Sequence, residues 1–175
     1  MLTEIDYGSL EFICLGMRKI DRDEIYNTRE NDNPLQLAFE AHYTFKNKGR
    51  GRVAWHNGKP CAVVALTESW PGHWEISMFG TDDLPKAGIE MIRWIRNEIS
   101  DIFKISAGRR LQCHSREGHP EAHTMIKALG GKPDGPWKEA YGKDGSRYQL
   151  YVWLRGVNDQ FMDAGYVRAD KDQAA

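Results

Sequence analysis

A chain of 175 residues, 41% hydrophobic and 28% charged, is long enough to bury a proper core and has the composition of a one-domain globular protein. Its 24 Lys and Arg against 25 Asp and Glu leave a net charge of -1, which excludes a protein whose main business is non-specific binding of nucleic acid. No apolar run approaches the roughly 20 residues of a membrane span, and Met1-Leu2-Thr3-Glu4 is no secretory signal, so the expected place of work is a cytoplasm or something assembled there.

A short strand at Leu2–Asp6 precedes a segment, Leu10 to Thr28, in which Phe12, Ile13, Leu15, Met17, Ile20 and Ile25 recur at mixed helical spacings. After the polar run Asn27 to Asn33, Pro34 opens a second helix that carries Leu35, Leu37, Phe39 and Tyr43 and stops near Gly49. Strands at Arg52–His56 and Cys61–Leu66 flank Asn57-Gly58, whose tolerance of left-handed backbone makes a tight hairpin. The second of them is apolar on both faces, so it is expected in the interior. A strand at Trp74–Phe79 follows, then a long helix, Leu84–Phe103, with Ile89, Ile92, Ile95, Ile99 and Ile102 at helical spacing. Arg110–His114 is a further strand. Pro120 starts a helix with Ala122, Met125, Ile126 and Leu129 on its apolar face, ended by the left-handed cap Gly130-Gly131. A hairpin of Trp137–Tyr141 and Tyr148–Leu154, turned by Lys143-Asp144-Gly145, completes a single domain over residues 1–157. Residues 158–175 are polar with few anchors and read as a mobile tail.

Trp74 to Gly88, WEISMFGTDDLPKAG, is the most informative stretch. Its strand puts Trp74, Ile76 and Met78 on one face and Glu75, Ser77 and Phe79 on the other. A strand feeding a helix start is an anion cradle, because unpaired N–H groups converge there. Here Asp82 and Asp83 stand where an anion would sit, and Pro85 removes one donor. The expectation is a well-capped helix, with the carboxylate of Asp82 or Asp83 accepting from a backbone N–H of the first turn.

The element order over about residues 3 to 155 resembles the GNAT acyltransferase fold, an α/β (α+β) architecture with a mixed central sheet flanked by helices. Within it, Met17-Arg18-Lys19-Ile20-Asp21-Arg22-Asp23-Glu24-Ile25, Met78-Phe79-Gly80-Thr81-Asp82-Asp83 with Pro85-Lys86, Glu117-Gly118-His119 with Glu121-Ala122-His123, Leu129-Gly130 and Tyr151-Val152-Trp153 are similar to the internal virion protein A family of Autographiviridae-type short-tailed bacteriophages. That resemblance implies virion morphogenesis, in the host-cell cytoplasm or the virion, and assigns no chemistry.

The GNAT resemblance implies a cofactor loop of the form Gln/Arg-x-x-Gly-x-Gly/Ala, which Asp82 and Asp83 replace here. It also implies an Asn-x-x-Ala-x-x-x-Tyr signature in the last helix. With Leu129-Gly130 as anchor, His119 takes the Asn place, Ala122 the Ala place and Ile126 the Tyr place, and an isoleucine cannot protonate a thiolate. If the chain is an enzyme, Glu75 is the candidate general base and His119 the second catalytic candidate. If acetyl-CoA binds, Met78, Phe79, Gly80, Thr81 and Lys86 are the candidate cofactor-binding residues. Asp21 and Glu24 are possible acceptor contacts, and are more simply the charged face of a helix, paired with Arg18 and Arg22. Glu68 is a weaker candidate base.

His114, His119 and His123 invite a metal reading. Helix-start histidines more simply hydrogen-bond backbone or carboxylates such as Glu117 or Glu121, and no metal is expected. Cys14, Cys61 and Cys113 lie far apart among apolar neighbours and read as reduced, buried thiols. Trp74, Trp94 and Trp153 read as packing, while Trp70 beside Pro71-Gly72 reads as an exposed anchor for a partner. Lys46 to Arg52, the densest basic run, reads as a solvated loop. With the phosphate loop and the acid tyrosine both replaced, the favoured reading is a non-catalytic, cofactor-free interaction module whose partners are other phage virion or internal core proteins. A host protein is the further possibility; no membrane and no nucleic acid are expected. The alternative is an acetyl-CoA-dependent N-acetyltransferase acting on a host or phage amine.

Overall fold

In the computed structural model, which describes residues 1–156, one seven-stranded sheet separates two groups of helices. The elements run β1 (Leu2–Thr3), α1 (Tyr7–Leu15), α2 (Lys19–Ile25), a 3-10 turn (Tyr26–Thr28), α3 (Pro34–Lys48), β2 (Gly49–His56), β3 (Lys59–Trp70), β4 (His73–Gly80), α4 (Leu84–Lys104), β5 (Arg110–Arg116), α5 (Pro120–Ala128), β6 (Lys132–Pro133) and β7 (Tyr148–Leu154). The strand order is β1-β2-β3-β4-β5-β7-β6, antiparallel throughout except for the parallel pair β4 and β5. This is the expected mixed α/β architecture.

The two-faced apolar run of β3 is what makes two cores. Val63 and Ala65 face Leu10, Ile13, Leu37, Ala38 and Phe45 of α1 and α3. Ala62, Val64 and Leu66 face Met91, Ile95, Ile99 and Ile102 of α4. All five of these β3 residues are fully buried, and each large aliphatic side chain so placed contributes about 1.5–3 kcal/mol. The Asn57-Gly58 hairpin forms as expected, with φ of 48° and 74°.

Three local expectations are corrected. The segment from Leu10 to Thr28 is broken at Gly16, so α1 and α2 are separate. Trp137–Tyr141 does not form the last hairpin's first strand; only a Lys138–Tyr148 bridge remains, and Lys132–Pro133 pairs with β7 instead. The amides of Tyr141 and Gly142 both turn to the Ser146 carbonyl, and the loop folds over Asn27, whose carbonyl accepts from Lys143 N at 2.8 Å. Lys46 to Arg52 is no loop: it is the last turn of α3 and the start of β2. Arg50 bonds Glu98 and Ser106 at 3.2 and 2.7 Å, and Arg52 pairs with Glu4 and lies over the Trp94 ring. The tail expected at residues 158–175 lies outside the described residues. Among those described, no helix is long and apolar enough to cross a membrane.

Candidate functional site

The site is a gap in the sheet. β4 and β5 pair only from His73–Arg110 to Glu75–Gln112, then part, while β4 stays on β3 as far as Gly80 and β5 stays on β7 as far as Arg116. The edge of β4 from Ile76 onward therefore has no strand beside it. The amide of Gly80 points into the gap, where it donates to Asp21 Oδ2 at 2.9 Å, and the Gly80 carbonyl accepts from Arg18 N at 3.0 Å. Backbone direction alternates along a strand, so the N–H and C=O of Met78 face the same gap. A cavity of about 770 Å³ occupies it and reaches both sheet faces. On the face of α1–α3 its walls include Glu75, Ser77, Glu40, Thr44 and His114; on the α4–α5 face they include Met78, Pro85, Ile92, Ala122 and Met125. Glu75, exposed on its strand, accepts from Gln112 Nε2 at 3.3 Å.

The far end of the gap is closed by a buried charge cluster. Asp21, 3% exposed, pairs with Arg18 Nε at 2.9 Å. Arg18 also reaches Glu121 at 2.9 Å and comes within 3.4 Å of His119 Nε2. The Nδ1 of His119 donates to the Glu24 carboxylate, and the Glu24 carbonyl accepts from the Tyr148 hydroxyl at 2.7 Å. Burial pushes the Asp21 carboxyl up, against the opposing pull of Arg18, the Gly80 amide and His119. Asp21 and Glu24 are thus not a solvated helix face. His119 is 6% exposed with its ring held between two carboxylates, and the carboxylates it meets are Asp21 and Glu24 rather than Glu117 or Glu121.

The helix start after β4 is already satisfied from within. Thr81 N donates to the Cys61 carbonyl at 2.8 Å, an approach open because a Cβ on Gly80 would fall 2.5 Å from that oxygen. Leu84 N and Lys86 N donate to Thr81 O and Asp83 O, both at 3.0 Å. The expected Asp cap is absent: Asp83 is the N-cap residue without a side-chain bond, and Thr81 Oγ1 accepts from Asp83 N at 3.3 Å instead. Asp82, Asp83 and Lys86 are exposed. Ile126, at the place of the acid tyrosine, is buried and lines the gap.

The remaining candidates scatter. Glu68 accepts from Gly72 N at 2.8 Å, a turn role. Among the described residues no group of three His, Cys, Asp or Glu side chains is arranged to hold a metal; His123 packs against Trp137 and Tyr151, and His114 stacks on Tyr141 at 5.1 Å. The three cysteines are free, and burial pushes Cys14 up to about 12 and Cys113 further, which leaves both thiols inert. Trp70 is exposed and stacks on His73 at 3.8 Å. Sequence reasoning anticipated the Arg18–Asp21 pair, three residues apart on one helix, and missed the contacts of Arg18 with Glu121 and His119 and the His114–Tyr141 pair, whose partners lie far apart in the chain.

No family model and no curated protein sequence matches the chain. Solved structures do. The spermidine N-acetyltransferase of Vibrio cholerae, determined in complex with CoA and spermine, superposes with a TM-score of 0.64 at 16% identity, covering 89% of this chain and 95% of its own. The protein smu.2055 of Streptococcus mutans UA159 gives 0.66 at 13% identity, with 88% and 98% covered. At such identities the likeness speaks for architecture, and it agrees with the parted parallel strands: the chain has the GNAT acetyltransferase fold.

Proposed function

We propose that this chain is an N-acyltransferase that moves an acyl group from a thioester to a cationic amine. The observation that carries the reading is the unpaired edge of β4, where the amide of Met78 faces a cavity open to both sides of the sheet. An extended thioester arm entering from the α4–α5 side would complete the sheet there, and a free amide is the donor that a developing oxyanion needs. On the opposite side Glu75 presents an exposed carboxylate to an ammonium. A spermidine N-acetyltransferase with CoA and spermine bound is among the fold neighbours, which supports a polycationic acceptor.

Acetyl-CoA fits this chain in part. The gap takes the thioester arm. The start of α4 does not suit the diphosphate, because its amides are bonded internally and Asp82 and Asp83 flank it; Lys86 is the one cation that the sequence placed in this loop. No step is routed through that end. Calorimetric titration with acetyl-CoA, followed by acetyl transfer to spermidine in wild type and Glu75→Gln, tests the reading: measurable binding and a transfer rate that falls in the variant are expected, and no binding overturns it.

A second reading is a non-catalytic interaction module in phage virion assembly, working in the host cytoplasm or virion beside other virion or host proteins. The internally bonded helix start and Ile126 favour it. The same titration separates the two.

A further inference from the structure

His114 lies on β5 two residues beyond Gln112, the last rung of the β4–β5 pairing. It is on the same sheet face as Gln112 and Glu75, at the level of Ser77 across the gap, and it lines the cavity with them. It is partly exposed, and one ring face stacks on Tyr141 at 5.1 Å. That stacking covers one face of the ring and holds its plane parallel to Tyr141, while the residue lines the cavity. Glu75, by contrast, is a solvated strand carboxylate positioned to attract a cation.

We infer that His114 is the general base of acyl transfer, and that Glu75 anchors the acceptor's ammonium beside it. This rests on the acyltransferase reading above. The acceptor ammonium gives one proton to an imidazole nitrogen of His114. The freed lone pair forms the C–N bond at the acyl carbon, the C–S bond breaks with its electron pair leaving on sulfur, and the second amine proton reaches the thiolate through water. An imidazole suits this task because a base works best when its pKa lies near the working pH. The groups that face His114 are Glu75 from β4, Lys138 and Tyr141 from the segment before β7, and Arg110 from its own strand. Burial, with Lys138 and Arg110, holds the imidazole below its ordinary value, and Glu75 pulls the other way, so the ring is neutral and able to accept at neutral pH.

The test is steady-state acetyl transfer to spermidine by wild type, His114→Ala and Glu75→Gln, with and without added imidazole, together with an NMR titration of the His114 ring. His114→Ala is expected to lose about 10²–10⁴-fold in kcat with KM for the amine little changed, and imidazole in solution restores part of the rate. Glu75→Gln raises KM, and imidazole does nothing for it. In the NMR titration, which needs no turnover, His114 titrates below the ordinary histidine value and moves lower still in Glu75→Gln. Wild-type kcat in His114→Ala, or titration at or above the ordinary value, overturns the assignment while leaving the acyltransferase reading intact. Absence of any transfer by wild type overturns that reading and this one with it.

Discussion

The carboxylate of Asp21 accepts the amide hydrogen of Gly80 at 2.9 Å, so on its gap side the last residue of β4 is tied to α2 rather than to β5. Arg18 completes the tie through its own amide to the Gly80 carbonyl and its side chain to Asp21. Removing Asp21 leaves the buried Gly80 N–H without its acceptor and leaves Arg18 with only the exposed Glu121 carboxylate. Asp21→Ala is expected to cost about 1–3 kcal/mol, and Asp21→Asn less, because the amide oxygen still accepts from Gly80. Urea unfolding of the two variants checks this; equal midpoints for wild type and Asp21→Ala would show that the pair contributes nothing.

Thr81, not an aspartate side chain, braces the turn that leads into α4. Its hydroxyl accepts from Asp83 N and donates to the Cys61 carbonyl, each at 3.3 Å. Thr81→Ala removes these two hydrogen bonds and should cost about 1 kcal/mol, whereas Asp83→Ala removes only an exposed charge near the helix start and should cost less, within the roughly 0.3–1 kcal/mol that such a charge contributes. Denaturation midpoints that rank the two variants the other way would restore the aspartate cap.

Part of this architecture was legible in the residues and part was not, for physical reasons. β3 announced itself because Cys61–Leu66 is apolar on both faces, and α4 because its isoleucines keep helical spacing; both are local patterns. Glu75 was placed correctly on its strand face by period-two alternation. The cluster that closes the gap was not legible, since Gly80 lies 59 residues from Asp21 and His119 lies 95 from Glu24, and no local pattern pairs them. Asp82 and Asp83 misled for another reason: both are good cap residues, and nothing local says that Thr81 reaches the amide first. The strand expected at Trp137–Tyr141 failed because the loop's donors went to Ser146 and Asn27, a partner more than a hundred residues away.

On the acyltransferase reading, the exposed pair Asp82 and Asp83 opposes an anionic donor at the start of α4. Two carboxylates in a partly solvated setting oppose a diphosphate by about 1–3 kcal/mol, so Asp82→Asn with Asp83→Asn should tighten acetyl-CoA by about one to two decades. The gain is expected mainly at low salt, because screening at about 0.15 M shortens the reach of these charges to roughly 8 Å. An unchanged Kd in calorimetry at low salt would mean that the donor's phosphates lie elsewhere than the start of α4.

Two partly buried histidines make the fold acid-sensitive above the carboxylate range. His123 packs between Trp137 and Tyr151, with ring centroids 5.7 Å from each, and its Nε2 is buried without a hydrogen-bond partner. Burial lowers its pKa, opposed by a backbone contact at Arg116, and burial lowers His114 likewise. A histidine whose folded pKa lies below its unfolded value of about 6.5 favours the folded state when neutral. Its contribution is therefore full above that value and is lost as pH falls through it and down to the folded pKa. Asp6 and Glu40, held low by hydrogen bonds from Ser9 and from Arg29 and Gln36, give up their contributions only below about pH 4, outside this window. The denaturation midpoint should thus fall between about pH 7.5 and about pH 5.5, and His114→Gln with His123→Gln should flatten that fall. An undiminished fall in the double variant would assign the sensitivity to other groups.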